Sequence, residues 1–295
     1  MPTDWDQERR RLSRKLEALR KKNYLPQGLL QMVGRTAELQ LEARAAAKVT
    51  VPADSELAGP DQQAQGAAIL PRARFTWDAG QAADLFHRLL ELVLAAEPPL
   101  SGAAKTVTAA LADGELDLPA AFAAYVSGEE ELFAAWAARL PETPRLLDFL
   151  VSASLAPGLE SLAAALAERQ VKDRNWTHGH CPVCGSLPLI ARLLEKEGRK
   201  HLTCAFCHTE YRAKRLQCPF CLEEDAAKLE YFEAEEEPGI QVHVCRSCNC
   251  YLKTVDFRQL EHASLPLLDD LESIALDILA QNQGLVRPTL SAWGF

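Results

Sequence analysis

The chain has 295 residues, of which 48% are apolar and 25% charged, and its formal net charge is −9. These proportions are typical of a globular protein with room for about two domains, and they exclude wholesale disorder and a fibrous protein. The acidic balance disfavours nucleic acid as the main partner, because phosphate binding needs a basic surface.

The N-terminal segment MPTDWDQERRRLSRKLEALRKK contains adjacent arginines, but no apolar stretch or small-residue cleavage site follows them. It is therefore not expected to be an export signal. No unbroken apolar run approaches the ~20 residues that a membrane span requires. We expect a cytoplasmic protein without a membrane span. Thiols in that compartment stay reduced, so closely spaced cysteines more often hold a metal than form a disulfide.

Residues 1–172 are expected to form an α-helical domain. The basic segment at residues 7–22 repeats Leu12, Leu16 and Leu19 at helical spacing. Its charge is interpreted as a solvated face rather than a site for an anionic partner. The segment at residues 52–66 is polar and rich in Pro and Gly, and it predicts a loop inside the helical half.

Further helical patterns fill the rest of this domain. The pattern around Phe86 and Leu90 ends at the Pro98-Pro99 pair, since proline interrupts a helix. Pro157 is expected to begin a new helix, because proline is tolerated in a first turn. The Ala-rich, Leu-studded sequence predicts closely packed helices, and it contains no titratable cluster that suggests chemistry.

The composition changes at about residue 173, where Gly, Cys, His and short strand patterns replace the alanines. All nine cysteines and six of the seven histidines lie between residues 178 and 262. Helical periodicity returns from about residue 264 and ends near Gly284, a residue typical of helix C-termini.

Four Cys-x-x-Cys pairs follow one another in this region. Two thiolates at this spacing can point at one cation, and two such turns supply the four ligands of a tetrahedral site. Four pairs therefore predict two metal ions. The pairs are Cys181/Cys184, Cys204/Cys207, Cys218/Cys221 and Cys245/Cys248.

The segments between the pairs indicate which pairs combine. Residues 186–203 and 228–244 each contain two strand-like runs separated by a turn with Gly. Each hairpin would bring its own two turns together, which favours sequential pairing into two tandem ribbons. A crossed arrangement, first pair with third and second with fourth, is the alternative.

Other interpretations of the cysteines and histidines stay open. A redox dithiol of the thioredoxin type is disfavoured, because no βαβ pattern surrounds any pair. Cys250 is interpreted as a buried spectator rather than a substitute ligand. The nearby histidines are expected around the ligands or on the surface, with a Cys3His site as the alternative. They are His178, His180, His201, His208 and His243.

A zinc-ribbon nucleic-acid binder is disfavoured by charge. Residues 172–258 contain thirteen Lys or Arg and thirteen Asp or Glu, so their formal charges cancel. Eight thiolates around two divalent ions would make the region negative, which opposes phosphate binding. No nucleic-acid partner is therefore expected.

The cysteine region resembles the formate dehydrogenase accessory protein family, FdhE. The resemblance lies in SLAPGLESLA, WTHGHCPVCGSLP, RKHLTCAFCHTEYRAKRLQCPFC and VCRSCNCYLKT, between residues 154 and 254. Tyr211 stands where the family pattern leads us to expect tryptophan, a departure that leaves the cysteines untouched. The N-terminal half resembles the family only in helical character and size.

The resemblance implies an α+β protein, in which an α-helical domain precedes two rubredoxin-like metal modules and a C-terminal helix. The implied bounds are 1–172, 173–214, 215–258 and 259–295. The implied ligands are Cys181, Cys184, Cys204 and Cys207 for one ion, and Cys218, Cys221, Cys245 and Cys248 for the other. Similarity to rubredoxin points to iron, whereas a tetrahedral thiolate site by itself accepts iron or zinc.

The resemblance also implies a non-catalytic role in maturing respiratory formate dehydrogenase through contact with its catalytic subunit. An electron carrier or redox sensor is the alternative, since iron would allow one-electron chemistry. The long helical domain favours the assembly role, because electron transfer does not need it. The candidate contact residues are Trp176, Glu210, Tyr211, Arg212, Arg215 and Lys253.

Overall fold

The computed structural model describes residues 4–22, 24–169, 176–235, 237–258 and 264–293. The chain divides into two compact units. Unit 1 contains residues 1–51, 72–162 and 292–295, and unit 2 contains residues 52–71 and 163–291. The sequence-based boundary at 172/173 falls outside the described residues and the one at 258/259 falls at the edge of a described range. These two boundaries and the one at 214/215 stay predictions.

Unit 1 is helical, as the sequence predicts. The expected apolar stripe of the first helix, Leu12, Leu16 and Leu19, is buried. Phe86 and Phe122 meet edge to face within the core, with ring centroids 6.3 Å apart. The helices are α1 Trp5–Arg20, α2 Gln27–Ala46, α4 Ala79–Leu94, α5 Leu100–Ala112, α6 Leu118–Ser127, α7 Glu131–Arg139 and α8 Leu146–Ala167. Unit 1 ends at Leu162, inside α8.

The expectation that Pro157 begins a new helix is wrong, because α8 runs through it without a break. A proline inside a helix lacks the N–H that would bond the carbonyl four residues earlier. Here that carbonyl belongs to Ala153, and the side-chain amide of Gln40 in α2 donates to it over 2.9 Å. A neighbouring helix therefore supplies the missing hydrogen bond, which makes the proline tolerable.

Helix α8 is also the one helix, in the part of the chain that the structure describes, with the length and apolar character needed to cross a membrane. However, 67% of its most apolar window is buried inside the protein. That pattern is the one expected of a core helix, so the helix is only weak evidence for a membrane span.

Unit 2 is built on a six-stranded sheet in the order β3-β2-β1-β6-β5-β4. Strands β1 and β2 form one antiparallel hairpin and β4 and β5 another, as the strand-like runs and Gly turns predict. The strands are β1 Pro188–Leu194, β2 Arg199–Cys204, β3 Glu210–Arg212, β4 Leu229–Glu233, β5 Ile240–Cys245 and β6 Tyr251–Asp256.

The two cysteine modules share this sheet instead of forming separate ribbons. Strand β6 follows the last cysteine pair and lies between the hairpins, antiparallel to β5 and parallel to β1. The parallel register places Ala191 opposite Thr254 and Leu193 opposite Asp256. The helices α9 Pro266–Glu272 and α10 Ile274–Asn282 follow the sheet. Leu276 of α10 belongs to the same apolar cluster as Ile190 and Val242.

The segment at residues 52–66, which the sequence places as a loop of the helical half, groups instead with unit 2. It contains a 3-10 turn, Asp54–Glu56, and the short helix α3, Pro60–Ala64. Ile69 donates its N–H to the Pro182 carbonyl over 2.9 Å, and Leu70 donates to Val183 over 3.0 Å. These backbone bonds tie the segment to the first cysteine turn, a pairing that no local pattern signals.

Candidate metal centres

The first two Cys-x-x-Cys turns bring four sulfurs together. The Sγ atoms of Cys181 and Cys207 lie 3.7 Å apart, and those of Cys184 and Cys204 lie 3.4 Å apart. All four sulfurs lie within 4.8 Å of one another, and all four residues are buried. The N–H groups of Val183, Ser186 and Phe206 donate to these sulfurs over 3.4–3.5 Å. Such donors stabilise thiolates.

The third and fourth turns form a second group. The Sγ atoms of Cys218 and Cys248 lie 3.7 Å apart, and those of Cys221 and Cys245 lie 3.6 Å apart. This group is less enclosed than the first, because Cys221 is exposed and Cys248 is half-buried. The structure thus assembles the sulfurs in sequential pairs, and the crossed arrangement does not occur.

Both groups have the dimensions of a tetrahedral metal site. A metal–sulfur bond of about 2.3 Å implies sulfur–sulfur edges of about 3.8 Å in a regular tetrahedron. The four sulfur–sulfur distances given above, 3.4–3.7 Å, lie close to that edge. Two four-cysteine groups can therefore hold two metal ions. Thiolate geometry does not distinguish iron from zinc.

The pKa values of the thiols in the first group show why a bound metal cation would stabilise this group. Burial raises the pKa of the Cys181 thiol well above its ordinary value, and the neighbouring sulfurs add to that increase. Burial also acts to raise the pKa of Cys184, but hydrogen bonds from Cys181, Cys204 and Cys207 outweigh it and lower that pKa well below its ordinary value. Four thiols this close cannot all ionise alone, whereas a divalent cation would permit it.

The two cysteine groups lie next to each other. Gly179, in the turn before Cys181, has a left-handed φ of +72°, and a Cβ built there would lie 2.2 Å from the carbonyl oxygen of Pro219. Pro219 lies between Cys218 and Cys221. Glycine is needed at position 179 because of this approach and because of its backbone conformation. Tyr211 donates its hydroxyl to the Gly179 carbonyl over 2.8 Å and fixes the same turn.

The histidines near the turns are not part of either four-sulfur group, and among the described residues both groups contain only cysteine. His180 contacts the Gly66 carbonyl through Nε2 at 2.9 Å. The rings of His178 and His180 pack against Trp176, with centroids 4.8 and 5.4 Å away. His243 contacts the Gln241 side chain at 2.8 Å. Their observed contacts are with protein groups around the sulfurs.

Cys250 also lies outside both groups. Its thiol is half-buried and contacts the Cys248 carbonyl at 3.5 Å. Its backbone bridges to Val286.

The six candidate contact residues have different surroundings. Trp176 is buried and donates its indole N–H to the His180 carbonyl over 2.6 Å, and Tyr211 is buried as described above. Glu210 is exposed but pairs with Arg192 and with His201. Arg212 and Arg215 are exposed, and Arg215 donates to the Glu197 carbonyl over 2.7 Å.

Lys253 is 1% exposed, so its ammonium is not presented to a partner. It pairs instead with Asp270 at 2.8 Å and with Asp277 at 2.5 Å. Arg287 pairs with the same two carboxylates at 2.6 and 3.1 Å. This buried four-residue network connects β6 to α9, α10 and the residues after them. Sequence reasoning missed it, because its members are up to 34 positions apart and belong to no motif.

A second buried lysine was also missed. Lys200 in β2 lines a cavity of about 190 Å³ together with Cys218 and Cys245 of the second group. Burial lowers the pKa of Lys200 to about 8, and the negative charge of Cys218 opposes that shift. The alternation of β2 was a usable signal, because it places Lys200 on the same side as Leu202 and Cys204.

Comparisons with known proteins match this cysteine-rich region. The model of the FdhE central domain matches residues 180–215, and the model of the FdhE C-terminal domain matches residues 216–292. Residues 180–292 of the chain are thus similar to the central and C-terminal domains of FdhE. All eight clustered cysteines lie within the two matched FdhE segments.

Two FdhE relatives illustrate the extent of the similarity. An FdhE homologue of Aquifex aeolicus is 30% identical over 153 residues, which are 51% of this chain and 53% of that protein. An FdhE homologue of Haemophilus influenzae strain PittEE is 37% identical over 129 residues, or 43% of this chain and 41% of that protein. The match thus spans about half the length of these curated relatives or less.

The fold extends the comparison along the chain. The crystal structure of the FdhE protein from Pseudomonas aeruginosa aligns with a TM-score of 0.70 at 22% identity, covering 99% of this chain and 97% of that one. The α+β architecture, a helical region followed by a sheet with two four-cysteine groups, is therefore the FdhE fold.

Proposed function

We propose that this protein is a non-catalytic accessory factor that binds the catalytic subunit of a respiratory formate dehydrogenase and is needed for its maturation. The observation that carries the proposal is the pair of four-cysteine groups within the segment that the FdhE domain models match. The expected location is the cytoplasm, with no nucleic-acid partner and no membrane span.

Each cysteine group would hold one metal ion in this proposal, with iron favoured over zinc by the resemblance to rubredoxin. Cys181, Cys184, Cys204 and Cys207 would hold the first ion, and Cys218, Cys221, Cys245 and Cys248 the second. The sulfur distances and the enclosed position of the first group support a structural role for its ion, since structural sites are closed to solvent. When bound, the ion would fix the turns that carry the sulfurs.

The surface around the second group is the better candidate for client contact. Cys221 is exposed, and three large apolar side chains near these turns are exposed as well: Leu216, Leu222 and Tyr231. Arg215 adds an exposed cation beside Leu216. Apolar anchors with polar neighbours are typical of protein interfaces. Of the six residues proposed from sequence, Arg212, Arg215 and Glu210 are exposed enough for direct contact.

The test combines genetics with a binding measurement. Deleting the gene should abolish formate oxidation while the formate dehydrogenase polypeptides are still made. The purified protein should capture the catalytic subunit, and Leu222→Ser should weaken that capture. Leu279→Ser on α10 is the matched control, because the exposed fractions of the two leucines are 44% and 43%. Normal formate dehydrogenase activity in the deletion strain, with no paralogue present, would refute the proposal.

The second cluster has its own test. Removing its ion with Cys218→Ser and Cys245→Ser should weaken capture of the catalytic subunit, because the turns that display Leu222 would lose their ligands. Lys21→Ala, beside the exposed basic face of α1, should have little effect. Equal loss of capture in both variants would argue against a contact surface around the second cluster.

An electron carrier or redox sensor is the second candidate, and the exposure of Cys221 favours it. A sulfur ligand that reaches the surface would offer a short path for electron transfer between a bound iron and a partner protein. Metal analysis of protein purified anaerobically from native cells, followed by voltammetry, separates the candidates. Zinc at both sites would refute the electron-carrier function and leave the assembly function intact.

A further inference from the structure

Lys200 is a buried cation without a carboxylate partner. Its exposed fraction is 4%, and it lies in β2, a strand of the first cysteine module. Within the described ranges, its ammonium has one hydrogen-bond acceptor, the Gln217 carbonyl at 3.5 Å, and no carboxylate within ion-pair distance. A buried charge without a counterion is strongly unfavourable, so a nearby negative charge would stabilise the Lys200 ammonium.

The charged residues around Lys200 limit which groups could supply this negative charge. The cavity that Lys200 lines also contains the cations Arg215 and Arg258. Glu230 is the single carboxylate among the described lining residues, and it accepts two hydrogen bonds from Arg246. It is therefore already neutralised.

Apart from Glu230, the described lining residues offer three thiols as sources of negative charge: Cys218 and Cys245 of the second cluster, and Cys250, which lies outside both clusters. Cys218 and Cys245 line the same cavity, and Gln217, which accepts from Lys200, directly precedes Cys218. Four thiolates around a divalent ion carry a net charge of −2, because metal binding requires each ligand thiol to lose its proton. A nearby cation such as Lys200 would offset part of that negative charge.

We propose that Lys200 is the counterion of the second cysteine cluster, so that a strand of the first metal module stabilises the metal centre of the second. A neighbouring positive charge favours thiolate over thiol and therefore favours the metal-bound state. With a redox-active metal, the same charge would favour the reduced form. Lys200 acts through the sulfurs and is a positioning residue. The inference rests on metal occupancy of the clusters and does not depend on the client.

The backbone supports this coupling of the modules. Strand β2 is joined through β1 and β6 to β5, which ends at Cys245. Gly179 of the first module also approaches Pro219 of the second too closely for any side chain. The fold therefore places Lys200 in the lining of the same cavity as Cys218 and Cys245.

Cadmium-113 NMR of the Cd²⁺-loaded full chain, titrated with a chelator, tests the proposal. Each cluster should give its own resonance, and Cys221→Ser identifies the second. In Lys200→Met, the second resonance should disappear at a lower free chelator concentration than in the wild type. The shift should correspond to roughly 10–100-fold weaker Cd²⁺ binding at the second cluster, the range for groups that support metal ligands. The first resonance should be unchanged, which also shows that the variant is folded.

Two further variants serve as controls. Lys200→Arg keeps the charge and should retain most of the affinity. Lys214→Met removes a lysine close to Cys218 in sequence, but Lys214 is exposed and pairs with Glu224. It should leave both resonances unchanged.

Three results would overturn the inference. In the first, Lys200→Met weakens both sites equally, which would make Lys200 a general stabilising residue. In the second, neither site changes while inorganic phosphate stabilises the wild type and not the variant, which would show that a solute anion in the cavity is the counterion. In the third, the wild type gives no cadmium resonances, which would refute metal binding as well.

Discussion

Replacing Lys253 with methionine should destabilise unit 2 strongly. Lys253 is 1% exposed and pairs with two carboxylates that are also buried, Asp270 and Asp277. Arg287 contacts both as well, so the four side chains balance in charge. Methionine would fill the space but leave two buried carboxylates with one guanidinium. Breaking a buried pair from one side costs about 3–5 kcal/mol, because a charge remains without compensation.

Urea denaturation of the metal-loaded protein, followed by tryptophan fluorescence and circular dichroism, measures this loss. Lys214→Met is the matched control, because an exposed ion pair is worth only about 0.2–1 kcal/mol. The double variant Lys253→Met/Asp277→Leu should recover much of the loss, since it removes one charge of each sign. A loss below about 1 kcal/mol in Lys253→Met, within the range of exposed pairs, would refute the reasoning.

The pH dependence of that loss follows from Asp270. Burial favours its neutral form, but Lys253 and Arg287 outweigh burial and hold the pKa of Asp270 below its ordinary value of 3.8. A carboxyl with a lowered folded-state pKa stabilises the fold above its unfolded pKa, and this stability is lost as the pH falls through the folded pKa. The difference between wild type and Lys253→Met should therefore shrink as the pH falls below 3.8.

Three other perturbations test the cysteine region. Gly179→Ala should weaken metal retention at both clusters and lower the free energy of unfolding by more than about 1 kcal/mol, since its Cβ would meet the Pro219 carbonyl and its φ is left-handed. Gly28→Ala is the control and should do neither, because a Cβ there meets nothing within 4 Å. Metal analysis of Cys184→Ser/Cys204→Ser should find one ion per chain, and none would contradict sequential pairing. A chelator should increase amide hydrogen exchange in unit 2 before it does so in unit 1, because structural zinc contributes ~10–16 kcal/mol to small metal-dependent folds. An equal increase in both units would contradict this.

The sequence by itself determined the features that depend on near neighbours in the chain. The three-residue spacing of each cysteine pair is local, and so are the alternating runs and Gly turns that form the β1–β2 and β4–β5 hairpins. Together they indicated the sequential grouping of the eight sulfurs. The apolar stripes of the helices were equally visible, because a helix repeats its contacts every three to four residues.

The tertiary structure decided what depends on distant partners. Pro157 stays inside α8 because Gln40, more than a hundred positions earlier, donates to Ala153. The sequence alone suggested that Lys253 is an exposed cation. In the folded protein α9 and α10 place Asp270 and Asp277 next to it, and all three side chains are buried. The parallel pairing of β1 with β6 joins the two modules, and it has no signal in either strand alone. Local patterns specify how a segment pairs with its neighbour, whereas burial and charge balance are set only when segments far apart in the chain pack together.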